Sequence, residues 1–300
     1  MSHFSSFFTA KYYMNSNFSR VMSASINDLL QIRKSIVRAG KMIKSLLNSH
    51  NDDLFMYKID NKAGHKALGI DLKAEDRIVS EFNKSGIRGK VISEERGEID
   101  LKSTEGTYYT FIIDPLDGST NFRRGIPFNC ISVAYMPKEG DIYFGELRNG
   151  IVYDFNSDNL YEIRDSSVFL NDDPLKLRKT AKPRTVCYYY YSSNDTIPKL
   201  LRFEKNYRIR TLGSAALELV HVATGGFDGF IDVRGGLGTY DFAVAAKILE
   251  LMGASITFLS NDQIIDDPSS ILLNDLQAGY KLIAAQDKEF HDMLVSSLLE

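Results

Sequence analysis

The feature that most constrains the fold is an apolar run, Tyr109–Ile113, that ends in the turn Asp114-Pro115-Leu116-Asp117-Gly118-Ser119-Thr120-Asn121-Phe122. A short apolar run bounded by turn residues is typical of a buried strand, so Asp114 and Asp117 are expected at the carboxyl end of one. Gly118 lets the backbone approach a ligand closely. A helix starting at the next residues would direct N–H groups at a phosphate. The turn therefore predicts acids for a metal ion beside donors for a phosphate.

The same turn has a second interpretation. Asp, Gly, Ser and Asn are common turn formers, so the segment could be an acidic surface turn without a ligand. A calcium loop of the EF-hand type does not fit, because its alternating ligand spacing and closing Glu are missing.

Further acids stand at comparable places along the chain. Glu94 and Glu95 follow a predicted strand, Asp71 and Glu75 lie four apart at a predicted helix start, and Asp241 opens another predicted helix. Each alone could be a helix-start charge or a solvated residue. If they converge, two such charges about 4 Å apart repel by roughly 4 kcal/mol at an effective dielectric of 20, which favours a bound cation. Oxygen ligands select Mg²⁺, Mn²⁺ or Ca²⁺.

Hydrophobic periodicity predicts an α/β protein made of two lobes of one unit. A strand-rich first part with flanking helices predicts an α+β lobe over 25–178, and alternating strands and helices predict an α/β lobe over 179–300. Helices are predicted from Ser25 to Leu47 and at 72–84, 214–224, 241–252 and 288–299; strands at 90–93, 107–113, 126–136, 142–163 (with a hairpin turn at Asn149-Gly150), 185–191, 227–233 and 281–285.

Composition excludes some classes of function. A net charge of −3 and a pI near 6.0 give no sign of the basic face of a nucleic-acid binder, and no apolar run has membrane-spanning length. Cys130 and Cys187 lack zinc spacing and predict buried free thiols in a reducing, cytoplasmic compartment. Residues 1–24 are Ser- and aromatic-rich without acids, which predicts a disordered extension or a mis-assigned start, with Met22 as the alternative first residue.

Taken together, these motifs resemble the inositol monophosphatase superfamily. Asp114–Asn121 is similar to its first signature, and Tyr240–Ala246, followed by Gly253, is similar to its second. The resemblance covers nearly all of 25–300. It is greatest to the archaeal branch, whose members are often active on both fructose 1,6-bisphosphate and inositol 1-phosphate. The segments that carry this similarity are Ser93–Gly97, Gly125–Phe128, Tyr188–Ser192, Arg208–Arg210 and Gly229–Gly235.

The resemblance implies a five-layered αβαβα sandwich, commonly dimeric, and a phosphomonoesterase that uses metal-activated water. It also implies that the lobe over 25–178 binds the metal and that the lobe over 179–300 binds the substrate. Two or three Mg²⁺ ions are implied, with Mn²⁺ as a possible substitute. Glu94, Asp114 and the Leu116 carbonyl would bind the first ion, Asp114, Asp117 and Asp241 the second, and a third would lie near Glu94. Asp71 and the Ser119 hydroxyl would orient the attacking water.

On the substrate side, the resemblance implies that the N–H groups of Gly118 and Ser119 hold the phosphate and that Ala215 and Asp232 contact sugar hydroxyls. A second phosphate would need cations or hydroxyls, and guanidinium matches phosphate oxygens. Strand alternation puts Arg208 and Arg210 on one face, although both could be surface charges. The residues expected to contact substrate are Asp117, Gly118, Ser119, Tyr190, Arg208, Arg210, Ala215, Asp232 and Arg234.

Two departures from the family pattern bear on substrate choice. The loop before Asp71 reads Gly64-His65-Lys66-Ala67-Leu68 instead of a Gly-Thr-Pro-Thr-like run, and Gly238 stands near a position expected to be basic. The resemblance implies a homodimer that acts on a small sugar or inositol phosphate, and the charge and the hydropathy predict no nucleic-acid or membrane partner. The alternatives are a 3′(2′),5′-bisphosphate nucleotidase and a non-catalytic member that binds RNA or protein.

Overall fold

The computed structural model describes residues 25–46, 57–60, 66–178, 183–189 and 207–299. The predictions for residues 1–24 and for Tyr190 lie outside the described residues. Among the described helices, none combines the length and the apolar character that crossing a membrane requires.

The predicted long helices are present. The described α-helices are α1 (Ile26–Leu46), α2 (Gly69–Lys84), α3 (Ser119–Arg123), α4 (Ala215–Thr224), α5 (Thr239–Leu251) and α6 (Lys288–Leu299). At the start of α1, the Ser25 hydroxyl accepts the Asp28 N–H at 3.0 Å, as in a capped helix. Helices α2 and α5 begin two or three residues earlier than predicted, because an acid at the third helical position closes each start. Asp71 Oδ2 accepts the Leu68 N–H at 3.0 Å, and Asp241 Oδ2 accepts the Gly238 N–H at 2.8 Å.

The first large sheet uses strands from residues 88–174, and a separate short hairpin pairs β1 (Tyr57–Asp60) with β2 (Lys66–Leu68). Its strands are β3 (Arg88–Ser93), β4 (Gly97–Asp100), β5 (Tyr108–Asp117), β6 (Cys130–Met136), β7 (Asn149–Asp154), β8 (Leu160–Arg164), β9 (Ser167–Leu170) and β10 (Asp173–Pro174). The sheet order is β10-β9-β8-β7-β6-β5-β3-β4. Strands β3 and β5 run parallel, and the other pairs are antiparallel.

The second large sheet uses strands from residues 184–285. Its strands are β11 (Arg184–Tyr189), β12 (Tyr207–Arg210), β13 (Gly229–Leu237), β14 (Ser255–Ser260), β15 (Gln263–Ile264) and β16 (Tyr280–Ala285). Their order is β12-β11-β13-β16-β14-β15. Strand β11 pairs in parallel with both β12 and β13, and β16 is antiparallel to its neighbours. The sequence did not predict β14.

Three apolar cores stack these elements into five layers. The first core joins α1 and α2 to one face of the first sheet. The central core packs α4 and α5 between the two sheets, and the third covers the far face of the second sheet with α6. The layer order is therefore αβαβα, as predicted. Because the central core draws on both sheets, the division at 178/179 into two lobes stays a prediction.

One local prediction was wrong. Asn149-Gly150 is not a hairpin turn but the start of β7, where Asn149 pairs with Tyr135 and Gly150 with Ala134. A Cβ at Gly150 would lie 2.9 Å from a methyl group of Val244 on α5. The glycine therefore serves the close approach of a helix to the sheet. The predicted strand at 142–163 is divided into β7 and β8. Cys130 and Cys187 are buried free thiols, as predicted.

Candidate metal and phosphate site

The candidate site begins at the carboxyl end of β5, a central strand of the first sheet. Between Asp114 and Asp117 the pairing of β5 with β6 becomes irregular, and both acids are buried. Gly118 follows with φ near +86°, and a Cβ there would lie 2.8 Å from the Phe128 carbonyl oxygen. Only glycine fits this turn without strain, and α3 starts at the next residue.

Two more acids reach Asp114 from neighbouring elements. Ser93 pairs with Ile113 in the parallel β3–β5 ladder, so Glu94 leaves the sheet beside Asp114. Asp241 comes from the first turn of α5. Carboxylate oxygens of Glu94, Asp114 and Asp241 all lie within 4.8 Å of one another. The structure thus brings together acids from three segments that are up to 147 residues apart in the sequence.

Electrostatics shows what this group of acids requires. Burial, then the charges of Asp117, Glu94 and Asp241, raise the pKa of Asp114 well above its usual range. Burial and the Glu94 charge do the same for the pKa of Asp241. Such carboxylates must take up protons or bind a cation. Three hard oxygen donors at this spacing fit Mg²⁺, so the residues present suit the implied ion.

Asp117 lies next to Asp114 but makes a different set of contacts. Its oxygens accept hydrogen bonds from the Ser214 hydroxyl at 2.7 Å, the Ala216 N–H at 2.8 Å and the Ala215 N–H at 3.3 Å. Burial raises the pKa of Asp117 to about 6, and these hydrogen bonds oppose the increase. Asp117 therefore ties the first sheet to the start of α4, and its role as a metal ligand stays a prediction.

Asp71 and Ser119, the pair predicted to orient water, lie together. Asp71 is buried, and its Oδ1 has no hydrogen-bond partner among the described residues. Burial raises the pKa of Asp71 to about 7, while the Leu68 N–H and the Ser119 side chain lower it. A buried carboxylate with one unsatisfied oxygen beside a hydroxyl is suited to accept a proton from water.

Glu75 was considered in the sequence analysis as one of the acids that could converge on a cation, but it is not part of the group formed by Glu94, Asp114 and Asp241. It is fully buried, and its carboxylate accepts the Arg96 N–H at 3.2 Å and is ion-paired with the Arg96 guanidinium. Arg96 also bonds Asp76 at 2.9 Å. Glu75 thus fixes the turn that carries Glu94. The sequence reasoning did not assign Arg96 this role, although an arginine directly after two glutamates was a visible signal.

A cavity of about 530 Å³ opens next to these carboxylates. Of the residues predicted to contact substrate, Asp117, Ala215 and Arg234 line it. Asp232 is fully buried and is ion-paired with Arg234. Arg208 and Arg210 are exposed on the edge strand β12 and are not among the lining residues. The lining residues are Glu94, Asp117, Thr120, Asn121, Tyr189, Thr211, Leu212, Gly213, Ala215, Arg234, Gly236, Leu237, Tyr240 and Asp241.

The sequence did not predict that residues 211–213 line the cavity. Thr211, Leu212 and Gly213 precede α4, and Tyr189 ends β11. The sequence predicted a hydroxyl donor at Tyr190 or at a neighbouring tyrosine of the same run, and among the described residues of that run the one that lines the cavity is Tyr189. Because β11 is bordered by strands that come later in the chain, its contacts with the 211–213 segment had no local signal.

Comparisons with known proteins agree with this geometry. The family model described as "Inositol monophosphatase family" matches residues 28–300. The chain is 34% identical over 241 residues to the fructose-1,6-bisphosphatase/inositol-1-monophosphatase of Methanothermobacter thermautotrophicus, covering 76% of this chain and 82% of that protein. It is 29% identical over 241 residues to the Nus factor SuhB of Pasteurella multocida, covering 77% and 85%.

Among solved structures, a protein from Pyrococcus horikoshii described as having similarities to inositol-1 monophosphatase superposes with a TM-score of 0.71. It shares 29% sequence identity, and the match covers 91% of this chain and 99% of that one. The similarity thus extends over both sheets and the helices between them.

Proposed function

The chain belongs to the inositol monophosphatase family, and we propose that it is a Mg²⁺-dependent phosphomonoesterase acting on fructose 1,6-bisphosphate, inositol 1-phosphate or both. The observation that carries the proposal is the group formed by Glu94, Asp114 and Asp241 within 4.8 Å of one another. Carboxylates this close repel one another and destabilise the fold unless a cation binds, and a cation at this position would lie beside the cavity and the turn that offers N–H groups to a phosphate.

Each part of the site has a role in this reaction. Glu94, Asp114 and Asp241 would hold Mg²⁺, with Asp117 and the Leu116 carbonyl completing the predicted set for two or three ions. Bound Mg²⁺ would supply positive charge that stabilises the phosphate and the leaving oxygen. The N–H groups of the Gly118–Ser119 turn would donate to phosphate oxygens, because the first amides of a helix have no intrahelical partner.

The proton of the attacking water would be accepted by a side chain of the protein. Asp71 Oδ1 would accept a proton from the attacking water, while the Ser119 hydroxyl orients that water towards phosphorus. The raised pKa of Asp71, about 7, suits a general base near neutral pH. Tyr240 and Leu237 line the cavity and are themselves buried, so they would limit the access of bulk water.

A second phosphate has one favoured partner on the described wall. Arg234 is the cation among the described lining residues, and its guanidinium lies 4.4 Å from the ring centre of Tyr189. Asp232 holds it through Nε at 3.0 Å. An arginine fixed in this way is suited to bind a phosphate. We therefore expect the protein to prefer a sugar bisphosphate to a sugar monophosphate as its substrate.

The test is release of inorganic phosphate by the purified chain from fructose 1,6-bisphosphate, inositol 1-phosphate and adenosine 3′,5′-bisphosphate, with Mg²⁺, Mn²⁺ or EDTA. We expect metal-dependent release from one or both of the first two. Preference for the adenosine compound would favour the nucleotidase alternative. No release from any of them by the folded protein would refute the phosphatase and favour a regulatory role, as the name of the Pasteurella relative suggests. We further propose a cytoplasmic homodimer, checked by light scattering and cell fractionation.

A further inference from the structure

A buried glutamate that the proposed reaction does not use lies behind the cavity wall. Glu218, on the first turns of α4, is fully buried. Its Oε1 accepts the Leu212 N–H at 2.6 Å, and its Oε2 has no hydrogen-bond partner among the described residues. Burial raises the pKa of Glu218 to about 7, while the Tyr189 hydroxyl, the Leu212 N–H and the Cys187 thiol lower it. Burying such a group is costly, so the contacts that Glu218 makes have to offset that cost.

The segment that Glu218 contacts is a wall of the cavity. Leu212 and Gly213 both line it. The Gly213 N–H donates to the Tyr189 hydroxyl oxygen at 3.0 Å, and the Leu212 carbonyl accepts from Asn121 Nδ2 at 2.6 Å. The loop is therefore fixed by a carboxylate and a phenol on one side and by α3 on the other.

Tyr189 connects this loop to the cation of the cavity. Its hydroxyl accepts from Gly213 and lies beside Glu218, and the Arg234 guanidinium lies over its ring. Displacing the Tyr189 ring would therefore displace both the loop and the arginine. A neutral Gln in place of Glu218 would turn an N–H₂ group towards at least one of the donors that now face a carboxylate.

We propose that Glu218 is a positioning residue for substrate recognition, which acts through Tyr189 and Leu212 to fix the wall formed by 211–213 and Arg234. The inference rests on the proposed phosphatase function of the same cavity, because it assigns Glu218 to substrate binding and not to metal binding. The groups that Glu218 contacts are the Leu212 N–H, the Tyr189 hydroxyl and the Cys187 thiol, and none of them belongs to Glu94, Asp114 or Asp241.

The first test does not depend on activity. Amide hydrogen exchange is measured for 207–218 in the wild-type chain, in Glu218→Gln and in Glu218→Leu. The control is Glu162→Gln. Glu162, on β8 of the first sheet, is also buried, but it is ion-paired with Arg33 of α1 and lies away from the 211–213 segment in the chain. We expect faster exchange at Leu212 and Gly213 in both Glu218 variants and unchanged exchange there in the control. Wild-type protection of these amides in Glu218→Leu would overturn the proposal.

The second test separates substrate binding from chemistry. Glu218→Gln and Tyr189→Phe are each expected to raise KM about three- to tenfold, the effect of losing one hydrogen bond. The kcat and the half-activating Mg²⁺ concentration should stay within twofold. If the two residues act as one unit, the double variant should be little worse than either single one. Unchanged KM, or a loss confined to kcat or to Mg²⁺ affinity, would overturn the inference.

The two failures are distinguishable. A wild-type chain that hydrolyses neither fructose 1,6-bisphosphate nor inositol 1-phosphate refutes the proposed function, and hydrogen exchange then decides alone whether Glu218 fixes the loop. An active wild type with normal KM in both single variants refutes only the role of Glu218. Should Glu218→Leu fail to fold, Glu218→Gln still gives both measurements, and wild-type protection of Leu212 and Gly213 together with an unchanged KM in that variant would overturn the proposal.

Discussion

Replacing Asp114 by Asn should stabilise the protein in the absence of Mg²⁺ while abolishing activity. Asp114 Oδ1 accepts the Leu116 N–H at 2.9 Å, and the carbonyl oxygen of an asparagine can keep that bond. What the substitution removes is a charge whose oxygens lie within 4.8 Å of those of Asp241. At that distance two carboxylates repel by about 3.5 kcal/mol at an effective dielectric of 20. Partial protonation reduces the gain, so we expect about 1 to 3 kcal/mol at pH 8.

The sign of the pH dependence follows from the pKa of Asp114. Burial raises that pKa above its value in the unfolded chain, so the folded state binds the proton more tightly. The contribution of Asp114 to the stability of the metal-free protein should therefore decrease as the pH rises above about 4, the usual pKa of an aspartate. Because asparagine does not titrate, the advantage of Asp114→Asn should grow with pH and vanish near pH 4.

Mg²⁺ should reverse this order. At 100 times its dissociation constant, a ligand that binds only the folded state stabilises it by about 2.7 kcal/mol, and the wild type should gain this while Asp114→Asn gains little. The chain has no Trp, so urea unfolding is followed by far-ultraviolet circular dichroism, in EDTA and in Mg²⁺, at pH 5 and 8. The exposed Asp173 provides the control Asp173→Asn. The reasoning is refuted if Asp114→Asn is less stable than the wild type in EDTA at pH 8, or if Mg²⁺ stabilises both equally.

Three further substitutions test separate parts of the site. Arg96→Met should release the turn that carries Glu94 and raise the half-activating Mg²⁺ concentration about tenfold, with kcat at saturating Mg²⁺ within twofold; an unchanged Mg²⁺ titration would contradict this. Arg234→Met should lower kcat/KM for fructose 1,6-bisphosphate by a factor equivalent to about 2 to 3 kcal/mol, and kcat/KM for inositol 1-phosphate much less. The control Arg208→Met, at an exposed residue, should change neither value. Equal losses on both substrates would exclude Arg234 as the residue that binds a second phosphate. Asp71→Asn should lower kcat by about 10²- to 10⁴-fold without removing the stabilisation of the fold by Mg²⁺. In the wild type, kcat should fall from pH 8 to 6 as the Asp71 carboxylate, with its pKa of about 7, becomes protonated. A kcat for Asp71→Asn above one-tenth of the wild-type value would contradict the role of Asp71 as a general base.

Much of the fold was predictable because it depends on local patterns. The apolar run before Asp114 forms a buried strand, and the periodic segments at 214–224 and 288–299 form helices. Gly150 shows where local rules fail. Asn-Gly is a strong turn signal, but α5 packs so closely on β7 that a residue without a side chain is needed there. That requirement comes from a helix about 90 residues later in the chain.

The sequence by itself determined which acids stand at strand ends and helix starts, because strand periodicity and turn chemistry act over a few residues. Only the tertiary structure decided what each acid does. Asp71 and Glu75 lie one turn apart on α2, yet Asp71 keeps an unsatisfied oxygen beside Ser119 while Glu75 is taken up by Arg96. Asp117 accepts from the start of α4, almost 100 residues away. A carboxylate's role depends on which donors and charges surround it, and these are set by the packing of elements that are distant in the chain.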